Sequence, residues 1–319
     1  MFCSTIIPTI GRATLTRTVN SVLSQSLTNT DFNAGGNTDI EVIVVNDSGK
    51  PLLEAAWQQA ERVKIIHTNR HERSVARNTG AAMAQGEYLH FLDDDDWMLP
   101  GAFENLRALT RLKEKAAWLY GAAQVVDRTE RPLLQLHYDW QGNCFVQTMA
   151  GEWIPLMASL IKREHFFNVG GFNPLIAGPE DIDLLRRIAL HGDLAGTSAL
   201  VTCIGLGAEN STTNQARHAE FSRWAREKIL NEPGVFARMR ASADAGDWYG
   251  RLARIYLTSM VWNLRRKNWA TALGRTALGL AGIAIAGRDL FSSNFWRALF
   301  SQYESKTFQR GFSAAKGTA

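Results

Sequence analysis

The sequence predicts an α/β fold: a doubly wound, mixed but mostly parallel sheet flanked by helices, with a helical extension at its C-terminal end. Three observations predict it. Short apolar runs alternate with helix-spaced segments through the first hundred residues. One run, "IEVIVVND", is apolar at successive positions, as a strand covered on both faces must be. Beyond residue 215 the strand signals stop and long helical patterns take over, which divides the chain into a sheet domain over 1–215 and a helical extension over 216–319.

In order, "STIIPTI" reads as a first strand running into a loop at Gly11 and Arg12. "TLTRTVNSVLSQS" places Leu15, Val19, Val22 and Leu23 on one helical face. "TNTDFNAGGNTD" is a polar surface loop, and "IEVIVVND" is the second strand. "LLEAAWQQAERV" predicts a helix, "KIIHTN" a strand, and "RSVARNTGAAMAQG" a helix stopped at Gly86. "EYLHFL" is a fourth strand, and it runs straight into Asp93, Asp94, Asp95 and Asp96. Pro100 opens a helix, "AAWLYGAAQVVD" is a strand, and "EDIDLLRRIALHG" is a helix after the turn "GGFNP".

Composition is that of a globular chain: 319 residues, 45% apolar and 21% charged. Charge is unevenly spread. Residues 1–199 carry 18 basic and 23 acidic residues, and residues 200–319 carry 17 and 8. The three cysteines form no CxxC pair and suit a reducing, cytoplasmic compartment. "MFCSTIIPTIGR" has no signal-peptide pattern. The longest uncharged run, between Arg275 and Arg288, is shorter than the ~20 residues a spanning helix needs, so no transmembrane helix is expected.

Four adjacent carboxylates at a strand end repel one another unless solvated or neutralised. In doubly wound sheets that edge is where ligands bind. A hard cation with a diphosphate would neutralise them; the alternative is a solvated acidic turn. Asp47 ends the second strand, where it could accept from a nucleobase or form an Asx-turn. Arg77 could pair with a phosphate or lie on the surface. Glu180 and Asp181 open a helix, which the macrodipole alone favours, or one of them serves as a general base. Trp153, in an aromatic-rich stretch, is an acceptor-side stacking residue or a core tryptophan. The C-terminal segment mixes Trp262, Trp269, Phe291 and Trp296 with Arg265, Arg266, Lys267, Arg275, Arg288 and Arg297. That mixture fits either a packed bundle with a solvated basic face or a membrane surface. No nucleic-acid motif is present, and no nucleic-acid partner is expected.

Taken together and in order, "STIIPTIGR", "IEVIVVNDSG", "ARNTGAAMAQGEYLHFLDDDDW", "VGGFN" and "GPEDIDLLRR" resemble the family 2 inverting glycosyltransferases of the GT-A fold, over residues 3–205. The resemblance implies a metal-dependent enzyme that moves one sugar from a nucleotide-diphospho-sugar, UDP-linked, to a glycan or lipid-linked acceptor, in cell-surface polysaccharide or glycolipid synthesis. It implies that Pro8, Thr9 and Ile10 line the nucleobase, that Asp47 binds uracil and that Arg77 contacts the nucleotide. Asp93 and Asp94 would approach the ribose and diphosphate, and Asp95 would hold Mg²⁺ or Mn²⁺. Asp181 would be the catalytic base, with Glu180 beside it on the acceptor side. Two departures stand out. "NDSG" replaces the usual "DDGS", which weakens the case for uridine, and "QxxRW" is absent, which favours single addition over polymerisation. A non-catalytic sugar-nucleotide or glycan-binding relative is the alternative. A phosphatase with an aspartate nucleophile would instead want its acidic motif after the first strand, which here ends in "PTIGR".

Overall fold

The structure is a computed structural model that describes residues 1–25, 39–205, 215–242 and 245–301. The predicted polar loop at 28–39 lies almost wholly outside the described residues. The chain forms two compact units, one of residues 1–143 and 154–205, the other of residues 144–153 and 215–301.

The first unit is built on a mixed sheet. Its strands are β1 (Cys3–Thr9), β2 (Ile40–Asn46), β3 (Val63–His67), β4 (Tyr88–Phe91), β5 (Trp97–Met98), β6 (Ala116–Val126), β7 (Pro132–Leu136), β8 (Ser159–Lys162) and β9 (Asp193–Gly205). Their order is β3-β2-β1-β4-β8-β6-β9-β5, with β7 beside β6. The first four strands pair in parallel, whereas β8 runs antiparallel to both β4 and β6. β2 is buried at every position, as its unbroken apolar run requires. Helices α1 (Leu15–Leu23), α2 (Arg73–Met83), α3 (Ala102–Leu112), α5 (Arg163–Asn168) and α6 (Glu180–His191) belong to this unit.

Two local expectations are corrected. The segment "LLEAAWQQAERV" is a single 3-10 turn, Ala56–Gln59, not a helix. Only Trp57 anchors it, donating from Nε1 to the Thr16 hydroxyl at 3.2 Å, while Leu53 is 81% exposed. Without a repeating buried stripe nothing holds further turns in place. Gly86 is also not the end of α2, which stops at Met83. It marks a close approach instead: a Cβ there would lie 2.5 Å from the Ser4 backbone nitrogen.

The second unit holds α4 (Phe145–Met149), α7 (Gln215–Leu230), α8 (Val235–Ala241), α9 (Ala245–Arg265), α10 (Trp269–Ala286) and α11 (Ser293–Leu299). Buried charge is tied off within it: Arg251 reaches Glu152 at 3.3 Å and Asp247 at 3.0 Å. The helical segment Trp269–Phe291 is 23 residues long with mean hydropathy 1.3, so by length and composition it meets the requirement for a membrane span. The uncharged run between Arg275 and Arg288 is only part of this helix, which begins at Trp269.

Candidate active site

The parallel strands bring their carboxyl ends to one edge, and the predicted residues of the first unit collect there. β1 delivers Thr9, whose hydroxyl donates to Asp94 Oδ2 at 2.6 Å and accepts from the Gly11 amide at 2.9 Å. Gly11 takes φ +85°, so the chain turns sharply and returns Arg12 over the acidic run. Pro8 stays in the strand beside Val45, and Ile10 is 56% exposed.

Asp93 to Asp96 form a tight turn closed by the Asp96 amide donating to the Asp93 carbonyl at 3.1 Å. The turn is held from outside. Thr18 donates its hydroxyl to the Asp96 carbonyl at 2.7 Å, and Arg17 donates to the Asp95 carbonyl at 3.2 Å. The Arg17 guanidinium lies 3.8 Å from the centre of the Trp97 ring and also pairs with Glu130.

The four carboxylates differ in environment. Arg12 Nη1 pairs with Asp94 at 2.8 Å and Asp95 at 3.1 Å. Arg77, itself buried, pairs with Asp93 at 2.6 Å. Burial pushes the Asp93 pKa up, but the Arg77 guanidinium outweighs it and the net direction is down. Asp94 and Asp95 are raised, chiefly by burial, with the Asp93 charge adding and Arg12 opposing. Asp96 is buried and raised furthest, through desolvation and then the charges of Asp93 and Asp95. Its one amide donor among the bonds described is Gly205, at 2.9 Å.

Ligand oxygens of Asp93, Asp95 and Asp96 lie within 4.8 Å of one another. Close, hard oxygen donors that carry more negative charge than Arg12 and Arg77 balance are the chemistry that a divalent cation fits. The resemblance points to Asp95 and not to Asp96, because nothing in a run of four identical residues says which is buried.

Arg77 joins this turn to the start of α6. Its Nη1 donates to Glu180 Oε1 at 2.9 Å, which Arg73 also reaches at 3.0 Å, while the Gly178 amide donates to Glu180 Oε2 at 3.0 Å. Both oxygens of Glu180 are therefore engaged. Asp181 is half-buried, and its side chain accepts from the adjacent Ile182 amide at 2.8 Å. Burial raises its pKa against the pull of Arg77 and Arg73.

Beside Arg77, Asn78 clamps the turn that precedes α6. It donates to the Phe172 carbonyl at 2.8 Å and accepts from the Phe172 amide at 2.9 Å. Gly171 occupies φ +68°, and a Cβ there would come 2.7 Å from the Asn78 oxygen. The motifs "ARN" and "GGF" are thus two sides of one joint.

Asp47 accepts from the Thr68 hydroxyl and the Arg70 amide on Oδ1, both at 2.7 Å, and from the Glu72 amide on Oδ2 at 2.8 Å. Burial raises its pKa, but these donors outweigh it and hold the group below the ordinary aspartate range. It organises the 68–72 loop. Trp153 belongs to the second unit, where it is half-buried.

Comparison with known proteins identifies a family and a fold. Residues 4–172 match the model of Glycosyl transferase family 2. TarP of Staphylococcus aureus, a poly(ribitol-phosphate) beta-N-acetylglucosaminyltransferase, is 36% identical over 109 residues, 32% of this chain and 31% of TarP. A GalNAc(5)-diNAcBac-PP-undecaprenol beta-1,3-glucosyltransferase of Campylobacter jejuni is 29% identical over 124 residues, 37% of each chain. The chain covers between 31% and 53% of the length of the first curated relatives. Among solved structures, S. aureus TarS 1-349 in complex with UDP-GlcNAc superposes with a TM-score of 0.60 at 15% identity, over 87% of this chain and 91% of that one. That likeness is one of fold. The family model covers more than half of the chain, and the chain belongs to glycosyl transferase family 2.

Proposed function

We propose that this family 2 glycosyltransferase is an inverting enzyme that moves a single sugar from a UDP-sugar to an acceptor hydroxyl. Its products are cell-surface polysaccharides or glycolipids, built in the cytoplasm at the inner face of the plasma membrane. One observation carries the reading. Arg77 holds an acidic turn suited to a diphosphate and its cation next to a half-buried carboxylate at a helix start. The UDP assignment is supported by a fold neighbour whose structure was solved with UDP-GlcNAc. TarP and the Campylobacter enzyme, one acting on poly(ribitol-phosphate) and the other on an undecaprenol-linked glycan, support a surface-polymer role.

Asp95, with Asp93 and Asp96, would hold Mg²⁺ or Mn²⁺. The cation would supply charge neutralisation for the diphosphate leaving group. Thr9 fixes Asp94 for the ribose side, and Pro8 and Ile10 flank the base. Asp47 bounds the base side through the 68–72 loop, and Arg77 adds positive charge beside the diphosphate. Asp181 takes the proton from the acceptor hydroxyl, because a carboxylate with a raised pKa is the better base. Glu180 does not compete for that role, since both its oxygens are bonded. Displacement on the opposite face of the sugar inverts the anomeric carbon without a covalent intermediate.

Calorimetric titration of UDP, GDP and dTDP, with and without Mn²⁺, tests the assignment on the wild type and on Asp95→Ala. UDP binding that needs Mn²⁺ and disappears in the variant is expected. Binding of none of the three, or a variant that matches wild type, would sink it.

A further inference from the structure

We infer that α10 is a bilayer-docking helix that lies in the plane of an anionic membrane with its large apolar side chains in the lipid. The inference deepens the membrane-facing part of the proposed function by naming the surface. It rests on the second unit alone.

The observation is an inversion. A helix on a protein core usually buries its large apolar residues and exposes its small or polar ones. α10 does the opposite. Its buried residues are Ala272, Gly279, Gly282 and Ala286. This small-residue stripe packs closely on α9: a Cβ on Gly279 would sit 3.0 Å from Leu257, and one on Gly282 would sit 3.6 Å from the Ala253 backbone. The bulky residues point away. Trp269 is 66% exposed, Leu273 74% and Leu280 57%, with Leu278 and Ile285 exposed as well.

The face is also free of charge. From Trp269 to Gly287 the sole ionisable residue is Arg275. It is turned inward, toward Glu220 at 3.6 Å and Glu227 at 3.9 Å on α7. Cations stand at the two ends instead: Arg265, Arg266 and Lys267 before the helix, and Arg288 and Arg297 after it, all exposed. Aromatic side chains accompany them. Arg266 lies 4.0 Å from the Trp262 ring centre, and Phe291 is 92% exposed. Between Ala245 and Ser301 the chain has eight basic residues and two acidic ones.

An uncharged apolar stripe about 27 Å long, bounded by cations and aromatic rings, matches the layering of a bilayer surface, with anionic headgroups over acyl chains. A second copy of the chain would bring a like-charged rim against this one, so charge complementarity favours lipid. Because the inner side of α10 stays on α9, only one side can meet lipid, which is the in-plane arrangement.

The test is flotation of the full chain with phosphatidylcholine vesicles, with or without phosphatidylglycerol, read beside light-scattering mass and UDP binding. The wild type should float with the phosphatidylglycerol vesicles. Leu273→Glu/Leu280→Glu should partition about tenfold less or weaker still, with an unchanged circular dichroism spectrum. Arg265→Ala/Arg266→Ala/Lys267→Ala should lose the preference for anionic lipid. A wild type that stays in the soluble fraction, or a double variant that floats equally well, overturns the inference. So does a wild-type dimer that the double variant dissolves without change in flotation, since a second copy would then cover the face. UDP binding separates the two proposals: flotation lost with UDP binding intact concerns this face, and the reverse concerns the sheet-edge site.

Discussion

Replacing Arg12 by alanine should tighten divalent-cation binding, although it removes a residue from the site. Arg12 now acts as an internal cation, 2.8 Å from Asp94 and 3.1 Å from Asp95. A metal approaching Asp95 must displace it or tolerate its charge. The gross attraction of one such pair at ~4 Å and an effective dielectric of ~20 is about 4 kcal/mol. The Arg12 side chain is 31% exposed, so solvent screening and the desolvation already borne by Asp94 cut the net value to about 1 kcal/mol. Losing that competitor corresponds to about fivefold tighter binding. The assay is titration of nucleotide-free protein with Mn²⁺, following free Mn²⁺ by electron paramagnetic resonance. Arg12→Lys should fall between wild type and alanine, since a point charge remains without the planar fork. Unchanged or weaker Mn²⁺ binding in Arg12→Ala, with the fold intact, would refute the reasoning.

The same geometry bears on Asp181, Asp96 and Arg77. Asp181→Asn should lower sugar transfer by about 10²–10⁴-fold while leaving UDP binding in place. In the wild type, kcat/KM should fall with acidification through a limb above the ordinary aspartate value of about 3.9, because burial raises Asp181; a limb at the ordinary value would contradict its role as base. Asp96→Asn should stabilise the metal-free protein at neutral pH by on the order of 1 kcal/mol in urea unfolding, since the amide oxygen can keep the Gly205 bond. The sign follows from linkage: a raised folded-state pKa favours the native state below the unfolded value, and that advantage is lost as pH rises through the folded one. The variant should therefore show a flatter stability profile above about pH 4. Arg77→Ala should destabilise by about 3–5 kcal/mol, because it leaves Asp93 and Glu180 without their shared partner; a loss below about 1 kcal/mol would show that solvent compensates them.

Much of the sheet edge was legible in the sequence, because strand ends and acidic residues are adjacent in the chain. The run "YLHFLDDDDW" fixes both where β4 stops and what it presents. The parts not legible are those that need a partner far along the chain. Arg12 meets Asp94 across 82 positions, and Arg77 meets Glu180 across 103. Glu180 and Asp181 look alike as letters, and only the bonds to Arg77, Arg73 and Gly178 mark Glu180 as the brace, while Asp181 accepts from the adjacent Ile182 amide. β8 and β9 carry small and polar residues among their apolar ones, so they lack the unbroken run that marks β2. The inverted face of α10 was invisible for a related reason: periodicity locates a stripe but not the side on which a neighbour lies.

The joint between Asn78 and Phe172 sets a rule for recombining this enzyme with its relatives. Arg77 and Asn78 are consecutive; one ties the acidic turn to Glu180 at the start of α6, and the other holds the turn before α6. A grafted segment spanning 170–191 inherits its alignment from a residue nearly a hundred positions upstream. Crossovers placed between α2 and that segment should therefore give folded but misaligned hybrids unless the donor of the graft also supplies a matched position 78. Libraries that exchange α2 and 170–191 as one linked block keep the joint intact, and with it the placement of Asp181 on which the proposed mechanism depends.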